Sequence, residues 1–239
     1  MNKERLKTGL EMMGVAADET ALDRFEAFHA ILDEYNARMD LTAVLDEDER
    51  VDRHDLDSAA PLAHGLLAQD AKVIDVGTGA GFPGMPLLIL RPDLQITFLD
   101  ALNKRILFLE DALKRLGLTA ATLHARAEDA AKMAVHREQY DAAVSRAVAN
   151  AATLEELTLP FVKKGGVAIA WKGPGVADEL TAARRAAFLL GGTVRGTVDA
   201  PIPRRADWAH VLLLTDKTGT TPKAYPRKAG TPNRKPLGQ

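Results

Sequence analysis

The chain has 239 residues, nearly half of them apolar, a net charge of -2 and no cysteine. That length and apolar share can bury one large core with room for a small appended element, so one main domain is expected. The missing cysteine excludes disulfides, thiolate metal sites and a covalent cysteine nucleophile, and the near-neutral charge excludes a globally basic polyanion binder.

In chain order, the opening MNKERLKTGLEMMG lacks the long apolar core of a secretory signal. No apolar run approaches the ~18 residues needed to cross a bilayer, so a cytoplasmic protein without membrane contact is expected. Leu22, Phe25, Phe28, Ile31, Leu32 and Tyr35 recur three or four apart, which predicts one helix from Ala21 to Arg38. A second helix is expected from Glu47 to His64. Residues 1–70 therefore read as a helical extension packed on the core, with acids such as those from Asp46 to Glu49 in excess.

After Lys72 short apolar runs alternate with amphipathic stretches: KVIDV, QITFLD, ATLHA, YDAAVSRA and GGVAIAWK as strands, KRILFLEDALKRLGL, ATLEELTLPFV and GVADELTAARRAAFLLGG as helices. This alternation predicts an α/β fold with a mostly parallel sheet covered on both faces. Gly165 with Gly166, and Gly191 with Gly192, read as turn exits before strands. TVRGTV and WAHVLLLT are too close in sequence for a crossover helix, so these last two of seven strands should pair antiparallel. Residues 71–216 form this core. Residues 217–239, rich in Thr, Pro, Gly and Lys, read as a basic tail that is loop-like or disordered.

Between the first strand and the next helix stands VIDVGTGAGFPG, with four glycines in the eight residues from Gly77 to Gly84. Gly79, Gly81 and Gly84 fit the dinucleotide pattern G-x-G-x-x-G, whereas Asp75, Gly77, Gly79 and Gly81 fit the D-x-G-x-G-x-G pattern of adenosylmethionine enzymes. Pro83 and Pro86 thin the backbone donors that a pyrophosphate needs, and Pro86 suits the first position of a helix. A nucleoside sulfonium asks mainly for close backbone approach, which residues without Cβ allow. A P-loop is excluded, since no Gly-Lys-Ser/Thr follows. Asp100 at the end of QITFLD can accept ribose hydroxyls of either ligand, or cap the helix beginning near Asn103.

The segments DVGTGAGFPGMPLLILRPD, LDALNKRILFLEDALKRLGL, RAED, YDAAVSRAVA and WKG, in that order, resemble the RsmG (GidB) family of bacterial small-subunit ribosomal RNA methyltransferases. YNARMDLTAV and RHDLDS before them, and YPRKAGTPNRKPL after, extend the resemblance over nearly the whole chain. It implies a class I (Rossmann-like) fold, S-adenosyl-L-methionine as donor, and N7 methylation of one guanine in the 530 loop of 16S ribosomal RNA. The partner would be that RNA or the small ribosomal subunit, and no metal is implied. The family's cofactor contacts fall on Gly77, Phe82, Ala127, Glu128 and Arg146, and Asp100 takes the ribose position of the wider superfamily. Asp40 and Asp55 depart from the family's usual asparagine and leucine.

Guanine N7 carries a free lone pair, so such a transfer needs alignment and charge stabilisation rather than a general base. SRAV after the fourth strand lacks the Pro-Pro-aromatic segment usual for exocyclic amines. Arg146, at that strand's end, is the candidate catalytic positioning residue, or an anchor for the next helix through Glu155 or Glu156. Glu128 can bond near the adenine or favour a helix start, and Phe82 can wall the site or belong to the core. His54, Asp57 and Ser58 are neighbours without an assigned role. Candidate RNA contacts are Lys163, Lys164, Lys172, Arg204, Arg205 and the tail with Tyr225. The alternatives are a class I methyltransferase of a small molecule or protein, a non-catalytic cofactor-binding module of ribosome assembly, and an NAD-dependent dehydrogenase.

Overall fold

A computed structural model describes residues 1–238. The chain begins with helices α1 (Lys3–Met12) and α2 (Glu19–Met39), the latter capped by the Asp18 carboxylate on the Ala21 N–H and closed by Asp40 in the left-handed region. The next helical stretch is not uniform: α3 (Glu47–Arg50) runs into a π-helical turn, Val51–Leu56, and then into α4 (Asp57–Ala63). The apolar pattern marks the span of this rod, but a shift from i+4 to i+5 hydrogen bonding leaves no trace in it.

The remaining elements are β1 (Lys72–Val76), α5 (Gly84–Leu90), β2 (Gln95–Asp100), α6 (Asn103–Leu116), β3 (Ala121–His124), α7 (Ala127–Ala130), β4 (Tyr140–Arg146), α8 (Ala151–Thr158), β5 (Val162–Lys172), α9 (Val176–Leu189), β6 (Gly192–Asp199), β7 (Val211–Lys217) and α10 (Thr231–Arg234). The seven strands lie in the order β3-β2-β1-β4-β5-β7-β6. β1 to β5 are parallel, and β7 runs antiparallel between β5 and β6. The order reverses between β1 and β4, so a crevice opens beyond their carboxyl ends.

Two local expectations change. Gly165 and Gly166 do not precede β5 but lie within it, where the pairing with β4 shifts register and Gly165 takes φ 89°. Pro86 is the third residue of α5, not the first, with Pro83 at the N-cap.

The N-terminal helices and the sheet share one apolar core. Leu22, Phe25, Phe28 and Leu32 of α2 join Met85, Phe98, Phe108 and Leu109 in a single buried cluster. Phe28 meets Phe82 edge-on at 5.6 Å and Phe108 at 6.3 Å. Such aromatic contacts are worth ~1 kcal/mol each beyond the area they bury, and they fix the extension against the glycine loop.

Residues 217–238 are largely loop, but they are docked rather than disordered. The Lys217 ammonium is buried against Glu138 at 2.9 Å and the Leu159 carbonyl at 2.8 Å. Arg227 forks onto the buried Glu156 carboxylate, with Nη2 at 2.6 Å. The Pro232 carbonyl accepts from the Thr153 hydroxyl at 3.1 Å. The tail, read from its Thr, Pro, Gly and Lys content as loop-like or disordered, is held by specific polar anchors, which composition does not reveal.

Candidate cofactor and acceptor site

The glycine loop is built around Asp75, which is fully buried at the fourth position of β1. Its Oδ2 accepts from the Thr78 hydroxyl at 2.6 Å and the Gly84 N–H at 2.9 Å, while Oδ1 has no partner among the described residues. Burial pushes this carboxyl up to about 6. Gly77, Gly79 and Gly81 all take positive φ, which residues with a Cβ adopt only at a cost. At Gly84 the backbone is ordinary, but an added Cβ would sit 2.6 Å from Phe98 and 2.7 Å from Asp75 Oδ2.

Asp100, at the end of β2, ties the loop in place. Its carboxylate accepts from the Gly79 N–H at 3.0 Å, the Leu102 N–H at 2.8 Å and the Arg105 guanidinium at 3.2 Å. It therefore does not cap the first turn of α6; it braces the loop against β2. A cleft of about 500 Å³ opens here, lined among others by Gly77, Gly79, Phe82, Asp100, Arg105 and Arg146. A smaller one of about 120 Å³ adjoins it, sharing Gly77 and Asp100 and adding Ala127, Glu128 and Leu157. All six cofactor residues expected from the sequence thus line one continuous crevice. The fit to an adenosyl ligand is good: backbone without Cβ at Gly77, an acid at Asp100, an apolar recess beyond it, and loop N–H groups at Gly77, Thr78, Gly79, Gly81, Phe82 and Gly84 that are already bonded within the protein rather than free for a pyrophosphate. Glu128 is already engaged, since its Oε1 accepts from the Gly230 N–H at 2.7 Å.

Arg146 closes the other side. Its Nη1 donates to Asp57 Oδ2 at 2.9 Å and the Arg53 carbonyl at 2.8 Å, and Nη2 reaches His54 Nδ1 at 3.4 Å. The anchor role through Glu155 or Glu156 does not hold: Glu155 accepts from Thr215 and Glu156 pairs with Arg227. The π turn and the start of α4 supply the partners: the turn presents Arg53 and His54, and the first residue of α4 presents Asp57, to the same guanidinium. Asp57 also faces His210 Nδ1 at 3.2 Å, and its carbonyl accepts from the Trp171 indole at 2.8 Å.

Burial, with the Arg146 cation beside it, pushes the His54 imidazole down to about 3, so it is neutral at physiological pH. An arginine only donates, so Nδ1 is the acceptor and the ring proton rests on Nε2, 2.8 Å from the Thr42 hydroxyl. The ring stacks on Phe82 at 4.4 Å, and the Arg146 guanidinium lies 5.4 Å from the same ring. Phe82 is both core and wall. Ser58 bonds back to the His54 carbonyl and serves the helix.

Beyond Arg146 lies a second cavity of about 510 Å³, lined among others by Arg53, His54, Asp57, Trp171, Lys172 and His210. The two spaces share His54, Arg146 and Ala147, so a group in one can meet a group in the other across the end of β4. His210 and Trp171 were not singled out in the sequence, although Trp171 stands in the WKG segment and the RHDLDS segment lines the same cavity. Lys172 lies here too, but its ammonium is paired with Glu179 at 2.7 Å. Lys163 and Lys164 start β5, at the opposite end of the sheet, and Lys163 pairs with Asp141. They do not border the site.

The strand order, glycine loop and crevice define the class of Rossmann-like S-adenosylmethionine-dependent methyltransferases. A solved TehB-like SAM-dependent methyltransferase from Corynebacterium glutamicum has the same fold at a TM-score of 0.50 and 17% identity, covering 80% of this chain and all of that one. Residues 21–204 match the profile of the GidB family, rRNA small subunit methyltransferase G, and the chain belongs to that family. Among curated relatives, the Ribosomal RNA small subunit methyltransferase G of Alkaliphilus metalliredigens is 42% identical over 237 residues, 99% of each chain. That of Clostridium perfringens is 41% identical over 233 residues, 97% of each.

Proposed function

We propose that the chain methylates N7 of one guanine in the 530 loop of 16S ribosomal RNA, acting in the cytoplasm on that RNA or on the small ribosomal subunit. The observation that carries this reading is the pair of spaces meeting at Arg146: one suits an adenosyl ligand, and the other is open to an acceptor. Gly77, Phe82, Asp100, Ala127, Glu128 and Arg146 would hold S-adenosyl-L-methionine, whose sulfonium supplies an electrophilic methyl group.

The chain's own work is alignment. Guanine N7 attacks with an existing lone pair, and the polar groups at the junction are not poised as bases: Asp57 is bonded to Arg146 and His210, and both ring nitrogens of His54 are committed. The guanidinium held by Asp57 and the Arg53 carbonyl can donate to guanine O6 while leaving N7 free. Bringing the reacting atoms together in line is a recognised source of rate by itself.

The test is transfer of labelled methyl from S-adenosylmethionine to purified small-subunit particles, free 16S RNA, and bulk protein or small-molecule extracts, with the modified base mapped. Label at one guanine N7 in the 530 loop supports the reading. Label confined to protein or small molecules supports the rival methyltransferase, and cofactor binding without any transfer supports an assembly module.

A further inference from the structure

The loop between β6 and β7 carries a feature that methyl transfer itself does not use. Trp208, in a single 3-10 turn Ala206–Trp208, is half-exposed, and its indole N–H bonds to none of the described residues. The other tryptophan, Trp171, is buried with its N–H on the Asp57 carbonyl. Two guanidiniums lie over the partly buried Trp208 ring, Arg53 at 4.4 Å and Arg205 at 4.9 Å from its centroid. Trp208 also lies 5.4 Å from His210, and both His210 and Arg53 line the second cavity. The loop holds this arrangement with two non-glycine residues in the left-handed region, Arg204 at φ 68° and Ala209 at φ 46°, a strain that gathers where a loop must present particular side chains.

We infer that Trp208, flanked by Arg53 and Arg205, is a stacking platform for an unpaired RNA base next to the methylated guanine. This rests on the ribosomal RNA reading and adds the surface that would hold the strand. Single-stranded RNA is gripped by aromatic faces on which splayed bases stack, with arginines tracking the backbone. The site's own chemistry asks for such a grip, since a guanine entering a cavity leaves its stack and its neighbour loses a partner. The two arginines are free enough to serve. Arg53 has only a loose, exposed pairing with Glu49 at 3.8 Å. Arg205 shares the Asp52 carboxylate with Arg5, so one acid faces two cations. The inner side of Trp208 packs on the main core, which fixes the ring, and the guanidiniums of Arg53 and Arg205 cover the rest of it, so a base stacks there by taking the place of one guanidinium, which then turns to the RNA backbone.

The experiment compares Trp208→Leu, which keeps apolar bulk against the core, with Trp208→Phe, which also keeps an aromatic face. Binding of labelled 16S RNA and of small-subunit particles is measured over a salt series, with S-adenosylmethionine affinity as the control for folding. Trp208→Leu should weaken RNA binding by about 5- to 150-fold, the range of one base–aromatic stack, without changing the salt slope or cofactor affinity. Trp208→Phe should keep most of the affinity. The double variant Arg53→Gln, Arg205→Gln should flatten the slope by about one to two, as expected for lost phosphate contacts. RNA affinity that is equal in the parent, Leu and Phe proteins overturns the platform alone, provided the parent methylates RNA. A parent that neither binds nor methylates RNA overturns the ribosomal RNA reading and the platform with it.

Discussion

Arg146 is the residue on which the site turns. Its guanidinium is nearly buried and touches three groups of one helical stretch, so removing it leaves the Asp57 carboxylate with the His210 ring as its remaining side-chain partner among the described residues. Arg146→Ala should therefore lower methyl transfer by about 100-fold or more, the usual scale for a lost electrostatic contact at a reacting centre. Near-normal turnover and cofactor affinity would remove it from the site. The sequence showed Arg146 at a strand end, and strand ends of such sheets face the ligand. It did not show Asp57 as the partner, because that contact joins residues 89 apart.

Glu155 illustrates a group that no local pattern marks. It is buried with Oε2 unpartnered among the described residues, and burial pushes its carboxyl up to about 8. A raised carboxyl pKa means that the folded state binds the extra proton. Its contribution is full below the ordinary value of 4.5 and is lost as pH rises to about 8. Glu155→Gln, which cannot ionise, should gain stability relative to the parent across that window, by up to about 1.4 kcal/mol per pH unit. Denaturant titrations at several pH values check this; parallel profiles would contradict it.

Among the elements, strands and helices after Lys72 were legible because β and α periods alternate cleanly. The π turn was not, since burial alone does not report hydrogen-bond phase. The joint between the glycine loop and α5 is equally specific. At Gly84 the space for a Cβ is taken by Phe98 and Asp75, so Gly84→Ala should destabilise by about 1–3 kcal/mol. Chemical denaturation reads the loss, and a shift of the Asp75 brace should weaken cofactor binding with it. A variant as stable as the parent would show that the joint has slack.

For the whole molecule, the C-terminal segment was the least legible part, because its anchors are single polar contacts to distant helices. From Lys217 at the far end of the sheet it passes Glu156 of α8 and arrives at Glu128, beside the recess expected for adenine. Arg227→Ala would strand the buried Glu156 carboxylate and should cost about 3 kcal/mol. Replacing the neighbouring exposed Lys228 should change stability by less than about 0.5 kcal/mol. Equal losses from both would mean that the tail is merely draped on the core. The exposed cations Lys228, Arg234 and Lys235 lie on the part of the tail that reaches this rim, a placement that supports an RNA role for the tail better than its net charge does.

The most direct measurement is a crystal structure of the chain with S-adenosylhomocysteine and guanosine monophosphate bound together. The adenosyl group should lie in the crevice between Gly77 and Glu128, with guanine in the cavity beyond Arg146 and N7 turned toward the sulfur. An adenosyl group bound elsewhere, or a guanine whose N7 faces away from that sulfur, would contradict the account.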